Sequence, residues 1–192
     1  MTNHLVVFAK APRLGRVKNR LAADIGRVNA WVFYRRTLDA VLRRLQGNGR
    51  WQSWLCVTPD DADGFPPGWT VVPQGPGDLG ERMDRPLRLL PPGPAVIVGT
   101  DVPDISRNHI HRAFEALGPN DAVFGPAADG GYWLVGLRRR PNTPHLFAGV
   151  RWSTRHALTD TIANLPNGKS AYFLETLSDV DDARDLLKRG VP

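Results

Sequence analysis

Cysteine is almost absent: Cys56 stands alone in 192 residues, so no disulfide framework can form within the chain. It lies in the apolar run Trp54-Leu-Cys-Val57, which reads as core packing in a reducing compartment. Long apolar runs are missing too, and none approaches the roughly 20 residues that cross a bilayer. The opening Met1-Thr-Asn-His4 has no basic start and no cleavage site, so no signal peptide is expected. These absences point to a soluble, cytoplasmic protein without a membrane span. Nor are the marks of nucleic-acid binding present: there is no zinc-ligand spacing, no RNP-type aromatic pattern and no basic region tied to heptads. The net charge of +6 is spread along the chain, and its densest cluster, Arg138-Arg139-Arg140, reads as a solvated turn. A basic balance of this kind equally draws small anions into a cleft, so no nucleic-acid partner is expected.

What the chain does have is an ordinary globular composition, 42% hydrophobic and 23% charged, at a length that fits one domain over residues 1–192. No repeat, linker or low-complexity stretch divides it. Short apolar runs alternate with amphipathic ones. Strands are expected at Leu5–Phe8, Trp54–Val57, Trp69–Val72, Ala95–Val98, Asp121–Phe124, Tyr132–Leu137 and Ala171–Leu174. Helices are expected at Arg27–Leu45, Leu79–Leu90 with a bend at Pro86, Ile105–Leu117, Trp152–Leu165 and Val180–Lys188. Ser106 and Ser153 suit two of their N-caps. Strands apolar on both faces, interleaved with helices, imply an α/β fold: a mostly parallel, Rossmann-like sheet between two helical layers. Ligands of such sheets bind beyond the carboxyl ends of the strands.

Four segments at those ends carry chemistry. After the first strand, Lys10, Arg13, Arg16, Lys18 and Arg20 gather cations around Gly15, a loop suited to an anionic polyphosphate or simply solvated. Neither P-loop spacing nor a GxGxxG fingerprint is present. In Pro73-Gln-Gly-Pro-Gly-Asp-Leu-Gly80, Gly77 allows close backbone approach, and Asp78 can cap the following helix. In Gly99-Thr-Asp-Val-Pro103, Asp101 ends a buried strand, where a carboxylate needs a positive partner. A metal ion such as Mg²⁺ is the expected partner, with Thr100 orienting the carboxylate; otherwise an arginine or a helix N-terminus is needed, and the competing reading makes Asp101 a cap of the helix near Ser106. In Gly125-Pro-Ala-Ala-Asp-Gly-Gly-Tyr-Trp133, Asp129 precedes Gly130 and Gly131, and Trp133 either stacks on a base or packs in the core. Later come Ser153, within Trp152-Ser-Thr154, and the acidic run Asp179-Val-Asp-Asp182.

The order of Phe8-Ala-Lys-Ala-Pro12, Gly15-Arg-Val-Lys18, Gly77-Asp-Leu-Gly-Glu-Arg-Met83, Thr100-Asp-Val-Pro103 and Asp129-Gly-Gly-Tyr-Trp133 resembles a bacterial glycosyltransferase-like family of the DUF2064 type. Its members are often described as nucleotide-diphospho-sugar transferases. The resemblance runs from about Leu5 to about Leu186. It implies a GT-A-like fold, shared with the 2-phospholactate and molybdenum-cofactor guanylyltransferases, and a metal-dependent transferase that takes a nucleotide-diphospho-sugar as donor. By that likeness Asp101 holds Mg²⁺ or Mn²⁺ on the nucleotide phosphates, with Asp129 and Asp181 as further metal ligands. Lys10 and Lys18 meet the phosphates, and Asp129 doubles as a catalytic base. Arg13, Gly15, Arg20, Gly77, Asp78, Thr100, Gly130, Gly131, Trp133 and Ser153 line the substrate. Two departures stand out: Asn19 takes the place of a usual threonine, and Asp-x-Asp is replaced by Asp101 and Asp104 flanking Pro103. The second keeps nucleotidyl transfer from an NTP, with release of pyrophosphate, as the alternative; a nucleotide-binding module without turnover is the third reading.

Overall fold

Leu5, Val6 and Val7 are all fully buried, although successive side chains of a strand point to opposite faces. A strand of that kind has to be covered on both sides, and it is. The computed structural model describes residues 1–47, 49–140 and 142–188. Its elements are β1 (His4–Lys10), α1 (Asn19–Ile25), α2 (Arg27–Leu45), β2 (Gln52–Thr58), β3 (Thr70–Pro73), α3 (Leu79–Leu89), β4 (Ala95–Val98), α4 (Arg107–Ala116), β5 (Ala122–Pro126), β6 (Tyr132–Leu137), α5 (Ala157–Ala163), β7 (Ala171–Phe173) and α6 (Ala183–Lys188).

The strands form one seven-stranded sheet in the order β3-β2-β1-β4-β6-β5-β7. Pairing is parallel except at β6, which runs antiparallel to both β4 and β5. Two cores result, one per face. On one, Leu5, Val7 and Leu55 pack with Leu38, Leu42 and Leu45 of α2 and Ile110 of α4. On the other, Val6, Cys56 and Ile97 pack with Met83 and Leu87 of α3 and, at the margin, Leu158 and Ile162 of α5. This is the three-layer αβα architecture that the apolar runs imply. Burial also lifts the Cys56 thiol to about 12, which makes it an inert packing group. Among the described residues no helix is long and apolar enough to cross a membrane.

The order of the strands selects a ligand site. From β1 the chain winds outward through β2 to β3, then returns to place β4 on the other side of β1. The crevice at such a reversal lies beyond the carboxyl ends of β1 and β4. Lys10 ends β1, and Asp101 follows β4.

Several local readings change. Helix α1 is absent from the apolar periodicity because it is seven residues long and buries one side chain, Leu21. Gly26, at φ 85°, separates it from α2. Ser106 does cap α4, in a box with His109. Ser153 does not cap α5, which starts at Ala157; Ser153 sits at φ 58° inside a turn. That turn is held by side-chain bonds that compete with a helix: Thr154 Oγ1 donates to Arg151 O (2.7 Å), and Asp160 accepts from Arg151 N (3.0 Å). Of the 138–140 cluster Arg140 is exposed, whereas Arg138 and Arg139 are not simply solvated. Arg139 lies along the α3–β4 connection and donates to Leu90 O (2.6 Å), Pro91 O and Gly93 O (both 3.1 Å), while Arg138 pairs with Asp121.

Candidate active site

A cleft of about 770 Å³ opens at the carboxyl ends of β1, β3 and β4. Its floor is an ion cluster. Lys18 Nζ lies 2.6 Å from Asp101 Oδ1 and 3.2 Å from Asp181 Oδ1, and the lysine side chain is 6% exposed. Burial works against the charged amine, but the two carboxylates outweigh it and hold Lys18 above the ordinary lysine value. The backbone of Lys18 is left-handed (φ 49°, ψ 50°), at the entry to α1. A non-glycine residue in that region is strained, and such strain is kept where surrounding contacts impose it.

The sequence folds so as to bring these distant groups together. Val180 N donates to Asp101 O (3.1 Å), and Ala128 N donates to Leu177 O (3.2 Å). The segment after β7 is thereby laced to the loops that follow β4 and β5. That lacing delivers Asp179 and Asp181 beside Asp101 and Asp129. Burial, and then the charges of Asp181 and Asp129, push the Asp179 carboxyl up to about 6. The floor therefore carries more negative charge than Lys18 offsets. Asp129 itself is fixed by an Asx turn, its Oδ1 accepting from Gly131 N at 2.9 Å.

Tyr34 fixes the end of β1. Its hydroxyl accepts from Lys10 N (3.0 Å) and donates to Lys10 O (2.9 Å), so the exposed Lys10 side chain leaves a clamped backbone. Burial lifts the Tyr34 phenol above its usual value, against a hydrogen bond from Thr100. The phenol is a positioning group here, with its proton held in place. Across the cleft, Asp78 and Glu81 form a reciprocal capping box on α3.

The cleft brings together Lys10, Lys18, Arg20, Gly77, Asp78, Thr100, Asp101, Asp129, Gly131, Trp133, Ser153 and Asp181 of the residues singled out from the sequence. Three others lie apart. Arg13 points outward to Asp61 (3.4 Å). Gly15 makes the turn before α1 at φ 73°. Gly130 packs so tightly that a Cβ would stand 2.4 Å from Arg155 O. Trp133 touches the cleft but is only 4% exposed, with its Nε1 donating to Glu175 O (3.1 Å), so it belongs to the core. Tyr34 and Gln74 also line the cleft without having been singled out, and so does Asp179 of the acidic run. For Tyr34 the available signal was a hydroxyl on the apolar stripe of α2.

Hard oxygen donors suit Mg²⁺ or Mn²⁺, which need only one or two carboxylates when phosphate oxygens complete the shell. Asp101 and Asp181 already converge on one cation, so the donor chemistry fits such an ion. A cage made by protein alone does not fit: among the described residues no group of three or more His, Cys, Asp or Glu is drawn together for a metal.

Similar proteins share this fold. A crystal structure of a candidate nucleotide-diphospho-sugar transferase from Desulfovibrio desulfuricans G20 is 29% identical, with a TM-score of 0.90 over 99% of this chain and 88% of that one. The 4-diphosphocytidyl-2C-methyl-D-erythritol synthase of Anaerococcus prevotii is 12% identical, with a TM-score of 0.62 over 97% of this chain and 95% of that one. Rv0371c of Mycobacterium tuberculosis H37Rv, solved as a complex with manganese, is 17% identical, with a TM-score of 0.52 over 100% of this chain and 98% of that one. The last two likenesses speak to the fold alone. No curated protein matches the sequence. Residues 41–154 match the model of the family described as uncharacterized protein conserved in bacteria, DUF2064. With more than half of its length matched, the chain belongs to the DUF2064 family of bacterial proteins.

Proposed function

We propose that this protein is a metal-dependent transferase that takes a nucleotide-diphospho-sugar as donor. The observation that carries this reading is the Lys18 ammonium held between Asp101 and Asp181 at the floor of the β1/β4 crevice. Carboxylates that already converge on one cation at a strand-order reversal mark where a positive charge can be held against a diphosphate leaving group. A divalent cation on Asp101 and Asp181, when bound, supplies positive charge to that diphosphate as its bond to the sugar weakens.

The chain's own residues do the rest. Lys10 and Lys18 bind phosphate oxygens from the strand-end loop, with Arg20 at the rim. Tyr34 keeps the Lys10 backbone in register through its paired bonds. Asp129, anchored through Oδ1, turns its second oxygen to an acceptor hydroxyl and takes its proton as oxygen attacks the anomeric carbon. The carbon–oxygen bond to the diphosphate breaks, and the nucleoside diphosphate leaves with the electron pair.

Nucleotidyl transfer is the second reading, favoured by the exposed Lys10 and Arg20, which add cations beyond those a diphosphate needs. In that case a substrate phosphate attacks the α-phosphorus of an NTP, and pyrophosphate leaves. Product analysis decides between them: a nucleoside diphosphate without pyrophosphate supports sugar transfer, and pyrophosphate from an NTP supports the second reading. The metal role is tested by Asp101→Asn. Calorimetric titration with nucleotides is expected to show Mn²⁺-enhanced affinity in the wild type and none in the variant. Equal enhancement in both would sink the assignment of Asp101.

A further inference from the structure

We infer that Glu175, clasped by Arg112 and His109 of α4, is a positioning residue: it holds the segment that carries Asp179 and Asp181 against the loop of Asp101, and so sets the grip of the cleft floor on a divalent cation. The inference rests on the metal reading above. Glu175 lies two positions beyond β7. Arg112 Nη1 donates to both of its carboxylate oxygens (2.7 and 2.8 Å), and His109 Nε2 lies 3.2 Å from Oε1. His109 and Arg112 stand one turn apart on α4 and share a face. The three side chains stand outside the cleft lining, so none is a catalytic group.

The His109 ring is wired at both nitrogens. Ser106 N donates to Nδ1 (3.2 Å), which leaves the proton of the neutral imidazole on Nε2, aimed at Glu175. The ring also tilts against Trp133 with centroids 5.4 Å apart, and Trp133 Nε1 donates to the Glu175 carbonyl (3.1 Å). Side chain and backbone of Glu175 are thus fixed by two elements, α4 and β6. Its own backbone N–H, and then the Arg112 charge, hold the Glu175 carboxyl below its ordinary value against the cost of burial.

Arg112 and Glu175 are 39% and 37% exposed, and an ion pair so open to water adds little to global stability. Its place in the chain gives it another role. Between β7 and α6 the backbone is tied from Leu174 N to Phe124 O (2.8 Å), Leu177 N to Pro126 O (3.1 Å) and Val180 N to Asp101 O (3.1 Å). Charge works against those bonds. Asp179 and Asp181 arrive beside Asp101 and Asp129, and like charges push the segment away from the floor. Helix α4 leads directly out of the Asp101 loop, since its cap, Ser106, follows Asp101 by five positions. A bond from α4 to Glu175 therefore draws the two acid-bearing segments together before any cation is there to do so. Ligands held in place beforehand bind an ion more tightly, because less ordering remains.

Titration calorimetry of the full chain with Mn²⁺ at 25 °C, where every variant is folded, tests this. Glu175→Gln and Arg112→Met are each expected to weaken Mn²⁺ binding about fivefold or more, and the double variant no further than Glu175→Gln alone. Arg112→Lys, which keeps the charge, is expected to recover part of the loss. Arg112→Met keeps the test open should Glu175→Gln fail to fold. A metal-free reading comes from amide hydrogen exchange, where Val180 is expected to exchange about fivefold faster or more in either variant. Unchanged Mn²⁺ affinity in the variants overturns the inference, whatever their melting points do. If the wild type binds no Mn²⁺, the metal reading fails by itself and exchange decides. Val180 protected as in the wild type, beside faster exchange at Leu5 in the central strand, would then show that the clasp stabilises the fold without positioning the segment.

Discussion

Replacing Lys18 by alanine removes the ammonium that Asp101 and Asp181 share, and leaves the acidic floor to repel itself. The magnitude follows from exposure. The lysine side chain is 6% exposed, but its partners are 56% and 40% exposed. Fully buried pairs lose about 3–5 kcal/mol when one member is removed, whereas exposed pairs are worth about 0–1. Solvent screening of the two carboxylates puts this site between them, at about 1–2 kcal/mol. For a chain of this size that corresponds to a melting point lower by about 2–8 °C. The folded-state Lys18 value lies above the ordinary 10.5, so its contribution is intact at neutral pH and fades only as pH rises past that value. A metal ion that settles on Asp101 and Asp181 must displace the ammonium in the wild type but not in the variant. Its dissociation constant should fall by the same free energy, roughly 5- to 30-fold. Scanning calorimetry at pH 7 over a Mn²⁺ series reads both effects. Lys18→Met repeats the test with the length of the side chain retained. Lys18→Gly isolates the left-handed backbone, and should exceed alanine by about 0.5–1 kcal/mol. A variant that melts with the wild type, and gains no more from Mn²⁺, would refute the idea that Lys18 stands in for the metal.

Two further expectations concern the frame around the cleft. Asp121 accepts from Ser170 N, Lys169 and Arg138, and these bonds hold its carboxyl down to about 2. Its contribution is present above the ordinary 3.8 and lost as pH falls toward 2. Asp121→Asn should lower stability by about 1–3 kcal/mol at neutral pH and erase that acid-dependent loss, read by circular dichroism during acid titration. Gly130→Ala places a Cβ 2.4 Å from Arg155 O at a φ of 89°, against backbone that cannot rotate away. A melting point lower by at least about 4 °C is expected from roughly 2 kcal/mol of strain. An unchanged value would mean that the Asp129 turn is looser than its contacts imply.

Most of the fold is legible in the sequence because its strands are apolar on both faces. Leu5–Phe8, Trp54–Val57 and Ala95–Val98 leave few alternatives to a covered parallel sheet. The reversed direction of β6 is harder to read, since a hairpin and a crossover share the same apolar pattern. Helix α1 stays hidden because a cation-rich loop and a short helix with one buried leucine look alike in composition. At the site, residues near strand ends were visible, since topology alone sends strand ends to ligands. What local pattern cannot show is partnership at long range. Nothing around Lys18 announces Asp181, and nothing around Arg112 announces Glu175. Arg138 and Arg139 mislead for the same reason: their partners, Asp121 and the carbonyls of the α3–β4 connection, lie elsewhere in the sequence.

The Lys18–Asp181 contact joins residues 163 positions apart. On a ribosome that adds about 5–20 residues per second, β1 and its cationic loop wait many seconds for the acidic partner. The sheet can assemble outward from β1 in that interval, but the cleft floor cannot. The cleft floor is therefore completed well after the strand that carries its cationic loop. A chain halted before residue 181 would leave Lys18 with Asp101 as its one carboxylate and Arg20 without the Asp181 that it meets in the finished fold.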